Sequence, residues 1–274
     1  MNESAGVGVL AGNLKAWLDL ILPPLCAFCG DYLSQGDLCE RCDGMFRMTW
    51  PPHSEPCQRC GMPIPGTTIG EASEPHQAKA SELAPSIHPC AVCRSQSFGF
   101  ERVYPLAIYQ GAVREAIVAN KRGSTVGLSP ALGRRLARVV EERRGGWAPE
   151  VIVFIPSHLS RQLMRGGVGG GQGIARAVAK ELGLPVVDAL KTTRRVGKQS
   201  LLRDVDRKEN VRGAFALKSG AFFRTTRRIC GREVLLVDDV LTTGATASEA
   251  ARILKAGGAA GVRLAVVARA VRRG

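Results

Sequence analysis

Eight of the nine cysteines in this 274-residue chain lie between residues 26 and 93, and all eight fall into C-x-x-C pairs: Cys26/Cys29, Cys39/Cys42, Cys57/Cys60 and Cys90/Cys93. A C-x-x-C turn directs two thiolates at one point, and two such turns complete a tetrahedral Zn(Cys)₄ centre. Gly30 and Gly61 directly follow their pairs, where backbone amides turn in toward the sulfurs. A disulfide framework suits secreted chains, and no basic stretch leads here into an uninterrupted apolar one. A redox C-x-x-C usually stands once beside a βαβ pattern, not four times in a loop-rich stretch. Fe–S clusters also take Cys₄ ligation, but ribbon-like pairs with following glycines favour zinc. Two structural zinc ions are therefore expected. Sequential use of the pairs is the simplest arrangement, with an interleaved one open. His53, His76 and His88 sit near the pairs but are expected at the surface, because the cysteines fill both sites. Cys230 stands alone and reads as a packed thiol.

Composition places the chain among globular proteins: 45% hydrophobic and 23% charged residues exclude disordered and fibrous classes. No apolar run reaches the ~20 residues that span a bilayer, so no membrane insertion and a cytoplasmic location are expected. Residues 14–22, with Leu14, Trp17, Leu18 and Ile21 at helical spacing, read as a short packing helix. The net charge of +14 is unevenly placed. Residues 1–150 hold 15 basic and 15 acidic side chains, whereas residues 151–274 hold 23 and 9. Within the second half, residues 191–232 carry 13 Lys/Arg against Asp204, Asp206 and Glu209, a net +10. Charge concentrated this way suits an anionic partner, phosphate or nucleic acid. Aromatic residues make up only 5% of the chain, which disfavours binding by many stacking platforms.

After Cys93 the texture changes from loop to alternating strand and helix. Strands are expected at 103–109, 151–155, 234–237 and 262–267, with another beginning at 185–187. Helices are expected at 112–119, 128–143, 173–182 and 245–255. That alternation predicts a parallel α/β sheet with crossover helices, and a division into residues 1–98 and 99–274.

The densest chemistry follows the apolar run 234–237. Two carboxylates, Asp238 and Asp239, precede a loop of Thr242, Thr243, Gly244, Ala245 and Thr246 that opens a helix. Ligands of open α/β sheets bind at the carboxyl ends of strands, and amides at a helix N-terminus cradle phosphate. Vicinal hydroxyls can donate to the carboxylates. A ligand with a phosphate and adjacent ribose hydroxyls satisfies both parts.

This string resembles the 5-phosphoribosyl-1-diphosphate (PRPP) signature of type I phosphoribosyltransferases. The resemblance implies that Asp238 and Asp239 contact the ribose, that residues 242–246 hold the 5-phosphate, and that Mg²⁺ accompanies PRPP. After strand 151–155, Arg161 and Arg165 are spaced cations suited to a diphosphate. Further on come Lys198-Gln199-Ser200-Leu201, Arg207, Asn210, Gly213 and Phe215. With the cysteine pairs ahead of Lys121, these look like the ComF/ComFC family of competence-associated proteins, a double zinc ribbon fused to a phosphoribosyltransferase-like domain. The resemblance runs from about Leu20 to Arg269. It implies a link to uptake and processing of transforming single-stranded DNA, and to competence-machinery proteins. Two departures stand out: Gly167–Gly171 interrupts the family's R-G-F-N-Q string, and Arg122 follows Lys121 where the family often has an aromatic.

Two classes of function follow. In the first the chain is a phosphoribosyltransferase, in which Arg161, Arg165 and Lys198 stabilise departing diphosphate while Asp238 and Asp239 hold the ribose; nucleobase metabolism is one setting for it. In the second it is a catalytically inactive PRPP-sensing or nucleic-acid-binding module, with Arg194, Arg195 and Lys198 on single-stranded DNA.

Overall fold

One parallel sheet of five strands sets the position of the other described elements. The computed structural model describes residues 23–65, 90–122, 127–156, 170–193, 211–218 and 222–271. In chain order these form α1 (Glu40–Arg47), β1 (Ser54–Pro56), β2 (Pro63–Pro65), β3 (Val103–Ile108), α2 (Gly111–Arg122), α3 (Leu128–Arg143) and β4 (Val151–Phe154). There follow α4 (Gly170–Leu182), β5 (Val186–Val187), β6 (Leu190–Thr192), β7 (Phe215–Leu217), α5 (Phe222–Ile229), β8 (Glu233–Leu241), α6 (Ala245–Ala256) and β9 (Gly261–Arg269).

The sheet order is β3-β9-β8-β4-β5, with every neighbouring pair parallel. Strands buried on both faces read as continuous apolar runs, and β4 is buried throughout. On one face Ile152, Phe154, Leu235, Val237 and Ala265 pack with residues of α2, α3 and α4. On the other, Val234, Leu236, Val262 and Leu264 pack with Ala247, Ala250, Ala251 and Leu254 of α6. The chain leaves β4 toward β5 at one edge and leaves β8 toward β9 on the other side. The β4–β8 boundary is therefore the topological switch point, where a crevice opens at the carboxyl ends of the strands.

Helix α3 matches the expected 128–143, while several other boundaries move. Helix α2 reaches Arg122, and α4 begins at Gly170, so the last two glycines of the 167–171 stretch form its first turn. The strand expected at 234–237 runs on to Leu241, which places Asp238 and Asp239 within β8 and not after it. The added residues are held by β9, with Asp238 opposite Val266 and Leu241 opposite Arg269. Helix α1, the β1–β2 hairpin, the small antiparallel β6–β7 sheet and α5 were not expected from the sequence. The expected helix at 14–22 lies outside the described residues.

Candidate functional site

The first half of the chain forms two cysteine clusters. Cys26, Cys29, Cys39 and Cys42 make one, and Cys57, Cys60, Cys90 and Cys93 the other, with the four sulfurs of each within 4.8 Å of one another. The pairing is therefore sequential. Sγ–Sγ separations of 3.6–3.8 Å recur in both, close to the ~3.8 Å edge of a tetrahedron with Zn–S bonds of about 2.3 Å. All eight are free thiols.

The leading knuckles repeat one backbone design. The amide of Cys26 donates to the Asp31 carbonyl and that of Cys57 to the Met62 carbonyl, each at 2.7 Å. Gly30 donates to the Cys26 carbonyl at 2.9 Å and Gly61 to that of Cys57 at 2.7 Å. Gly30 (φ 80°) and Gly61 (φ 73°) are both left-handed, a conformation that favours glycine. Burial works against ionisation of Cys26, but amides of Cys29, Cys39 and Phe28 outweigh it and lower its thiol to about 6. A hydrogen bond from Cys60, with amides behind it, brings Cys57 down to about 4 against its burial. Burial pushes Cys42 up, and the hydrogen bond to Cys57 does the same to Cys60. Four thiolates cannot gather without a cation, so the donor set fits Zn²⁺, which would take all eight as thiolates. His53 is exposed, as expected. Cys230 is exposed too, which corrects its reading as a packed thiol: it sits in the turn between α5 and β8.

The second candidate site lies at the switch point. Strand β4 pairs with β8 only as far as Phe154 opposite Val237, so β8 continues for four residues with β9 alone beside it. Asp238 and Asp239 occupy that free edge. Alternation along the strand sends them to opposite faces. Asp239, buried to 7% exposure, pairs through Oδ2 with Nζ of Lys121 at 3.1 Å. Asp238 accepts the Asp239 amide on Oδ1 at 2.8 Å. Burial, and then the charge of Asp239, push Asp238 up to about 8. Lys121 is raised despite its burial, because Asp239 and Asp238 hold its charge.

Past Leu241 the chain turns through Thr242 and Thr243 to Gly244, which caps α6 in the left-handed region at φ 82°. A Cβ there would also meet Cε1 of Phe98 at 2.8 Å, so both conformation and space require glycine. The Ala245 amide donates to Thr243 Oγ1 at 3.4 Å, and the first-turn amides of α6 have no preceding helical carbonyl to bond. Thr242 is exposed and Thr243 and Thr246 partly so. The structure thus brings Asp238, Asp239 and residues 242–246 to one edge. Arg161, Arg165, Arg194, Arg195 and Lys198 lie outside the described residues.

Two residues at this edge received no site role from the sequence. Lys121 ends α2, where a lysine in the last turn reads as an ordinary complement to the helix dipole. Arg269 ends β9 in an apolar strand, and its buried guanidinium reaches both the second cysteine cluster and the turn after β8. Neither has a spacing signal.

Fold and site together define the class: a phosphoribosyltransferase-like parallel α/β domain carrying an N-terminal double zinc ribbon. The phosphoribosyl transferase domain model matches residues 167–273 and the double zinc ribbon domain model residues 17–78. The chain is 28% identical over 251 residues to the DNA utilization protein YhgH of Escherichia coli, covering 89% of this chain and 96% of that protein. It is 25% identical over 194 residues to Competence protein F of Haemophilus influenzae, covering 69% and 82%. The two matched domains and these relatives support the resemblance to the ComF/ComFC family. Among solved structures, a glutamine PRPP amidotransferase from B. subtilis aligns at 17% identity with a TM-score of 0.35, covering 54% of this chain and 30% of that one.

Proposed function

We propose that this protein binds PRPP with Mg²⁺ at the free edge of β8 and acts as a phosphoribosyltransferase in DNA utilization. The observation that carries this reading is the pairing, at the topological switch point, of two strand-borne carboxylates with a Gly244-capped helix N-terminus. A ribose lying across the edge can donate its hydroxyls to Asp238 and Asp239, while its 5-phosphate takes the amides of residues 243–246. Lys121 pairs through Nζ with Oδ2 of Asp239 and orients that carboxylate at the edge. Mg²⁺ bound with PRPP beside Asp238 and Asp239 would supply charge neutralisation for the diphosphate. Arg161, Arg165 and Lys198 supply the remaining cationic contacts to that group.

Calorimetric titration with PRPP and Mg²⁺, set against ribose 5-phosphate, tests the reading. PRPP should bind more tightly than ribose 5-phosphate, and D238A/D239A should abolish binding in protein that still folds. Equal affinity in the double variant rules the assignment out.

A nucleic-acid partner is supported by the net +10 of residues 191–232. Single-stranded DNA held through its phosphates should bind with little sequence preference and weaken steeply with salt. Neutralising Arg194, Arg195 and Lys198 should flatten the salt slope by about two units, at roughly 0.7 for each phosphate left without its cation. Absence of binding in a low-salt filter assay at micromolar protein leaves the small-molecule enzyme as the function.

A further inference from the structure

The second cysteine cluster and the phosphate turn are joined by two side chains that neither site needs for its own chemistry. Arg269 donates from Nε to the carbonyl of Cys60 at 2.7 Å. Its Nη1 reaches the carbonyls of Leu241 at 2.9 Å and Ala270 at 2.7 Å, and also that of Thr242, the first residue of the turn. One planar guanidinium thus spans a metal knuckle and the phosphate turn. It is 7% exposed, and its stem lies against the knuckle glycine, where a Cβ on Gly61 would sit 3.4 Å from Cδ of Arg269. Phe98 makes the second link. It packs against the cluster of Cys57, Cys60 and Cys93, stacks on Phe100 at 5.0 Å, and closes over Gly244.

Other features of the molecule carry less. The exposed Cys230 is a lone cysteine in the turn between α5 and β8 and makes no site by itself. Nδ2 of Asn120, buried without a hydrogen-bond partner among those residues, faces Gly170 at the start of α4 and belongs to the crevice already described.

We propose that Arg269 and Phe98 are positioning residues through which the second zinc ribbon presets the 242–246 turn for its phosphate. The proposal rests on the reading of that turn given above. A Zn(Cys)₄ knuckle fixes the Cys60 carbonyl in space, and a rigid fork carries that placement to the Thr242 carbonyl, whose peptide leads into the amides that face the ligand. Lysine cannot reproduce the fork, because a single ammonium on a flexible stem reaches fewer acceptors in fixed geometry. The zinc also suits its neighbour: a tetrathiolate zinc centre is a net dianion, and a buried cation beside it lowers the cost of burying both.

Hydrogen exchange on the full chain tests the link without any ligand. Wild type, R269K and F98L are compared, each with zinc bound and after chelation, following amides 242–248 against those of β3. Zinc-loaded R269K and F98L should retain two zinc ions and a native melt, yet exchange at the turn about ten-fold faster than wild type, with β3 unchanged. Chelation should produce the same acceleration in wild type and add little in R269K, since the link is already cut. Such non-additivity distinguishes positioning from a general loss of stability. PRPP affinity should fall about ten-fold in both variants. Unchanged exchange at the turn in both variants, or fully additive effects of chelation and substitution, overturns the proposal. Should R269K fail to fold, the F98L and wild-type chelation arms decide it. Should wild type bind no PRPP, the reading of the site fails while the exchange arms still judge the link.

Discussion

Neighbouring carboxylates on one strand can sit in different surroundings, and burial followed by the charge of Asp239 sets the protonation of Asp238. Asp239 is tied to Lys121, whereas Asp238 keeps a proton up to about 8. A carboxyl raised in the folded state binds a proton that the unfolded chain has released, so stability falls as pH rises from about 4 toward about 8. Asp238→Asn should flatten that decline, read as the urea midpoint of the ligand-free protein between about pH 5 and about pH 9. A slope unchanged by the substitution refutes it. Asp37 and Asp43 act in the opposite sense: each is lowered, against its burial, by Arg135 together with Arg134 or Arg47. Their contribution is present above the usual carboxylate range and is lost on acidification. At this scale Asp-Asp and C-x-x-C were legible in the sequence as candidate sites, since both are local strings. The sequence did not show Lys121 or Arg269, whose partners are 118 and 209 positions away.

At the scale of elements, strand ends were the hardest feature to read. The apolar run stops at Val237 because burial on both faces stops there, but hydrogen bonding to β9 continues to Leu241. A strand with one neighbour tolerates charged residues that a central strand would reject, and that difference turns Asp238 and Asp239 from a loop into a rigid edge. Helices were legible where the apolar stripe was complete, as in α3, and illegible where a metal knuckle or a two- or three-residue strand replaced periodicity. Helix α3 also contains a glycine that propensity alone would disfavour. A Cβ on Gly133 would lie 2.4 Å from the Ala177 Cβ and 2.8 Å from the Ile174 carbonyl oxygen. The two helices, α3 and α4, thus meet backbone to backbone. Gly133→Ala should destabilise the protein by about 1–3 kcal/mol in spite of its better helix propensity, measured by urea unfolding; a stabilised variant contradicts the close crossing.

Across the whole molecule, the metal-binding chemistry precedes residue 98 and the sheet follows it, yet packing crosses that division. Cys26, Leu38, Cys42 and Phe46 share one buried cluster with Leu132, Leu136 and Ala265. Arg135 of α3 pairs with Asp37 and Asp43, and Val103 of β3 donates to the Gln58 carbonyl at 2.9 Å. Metal analysis should find about two Zn per chain. A structural zinc site contributes folding energy to whatever packs on it. Chelation should therefore lower the melting temperature of the α/β sheet along with that of the ribbons; a sheet that melts unchanged contradicts the shared core. Among the described residues no helix is long and apolar enough to cross a membrane.

The claim on which the functional reading turns is that the free edge of β8 and the cap of α6 form one ligand site. A crystal structure of the protein grown with PRPP and Mg²⁺ tests it most directly. The 5-phosphate should lie within hydrogen-bond distance of the amides of residues 243–246, the ribose hydroxyls on Asp238 and Asp239, and the diphosphate over the carboxyl end of β4. Ligand density elsewhere on the molecule, or a phosphate that avoids the Gly244 turn while the carboxylates stay bare, would contradict it.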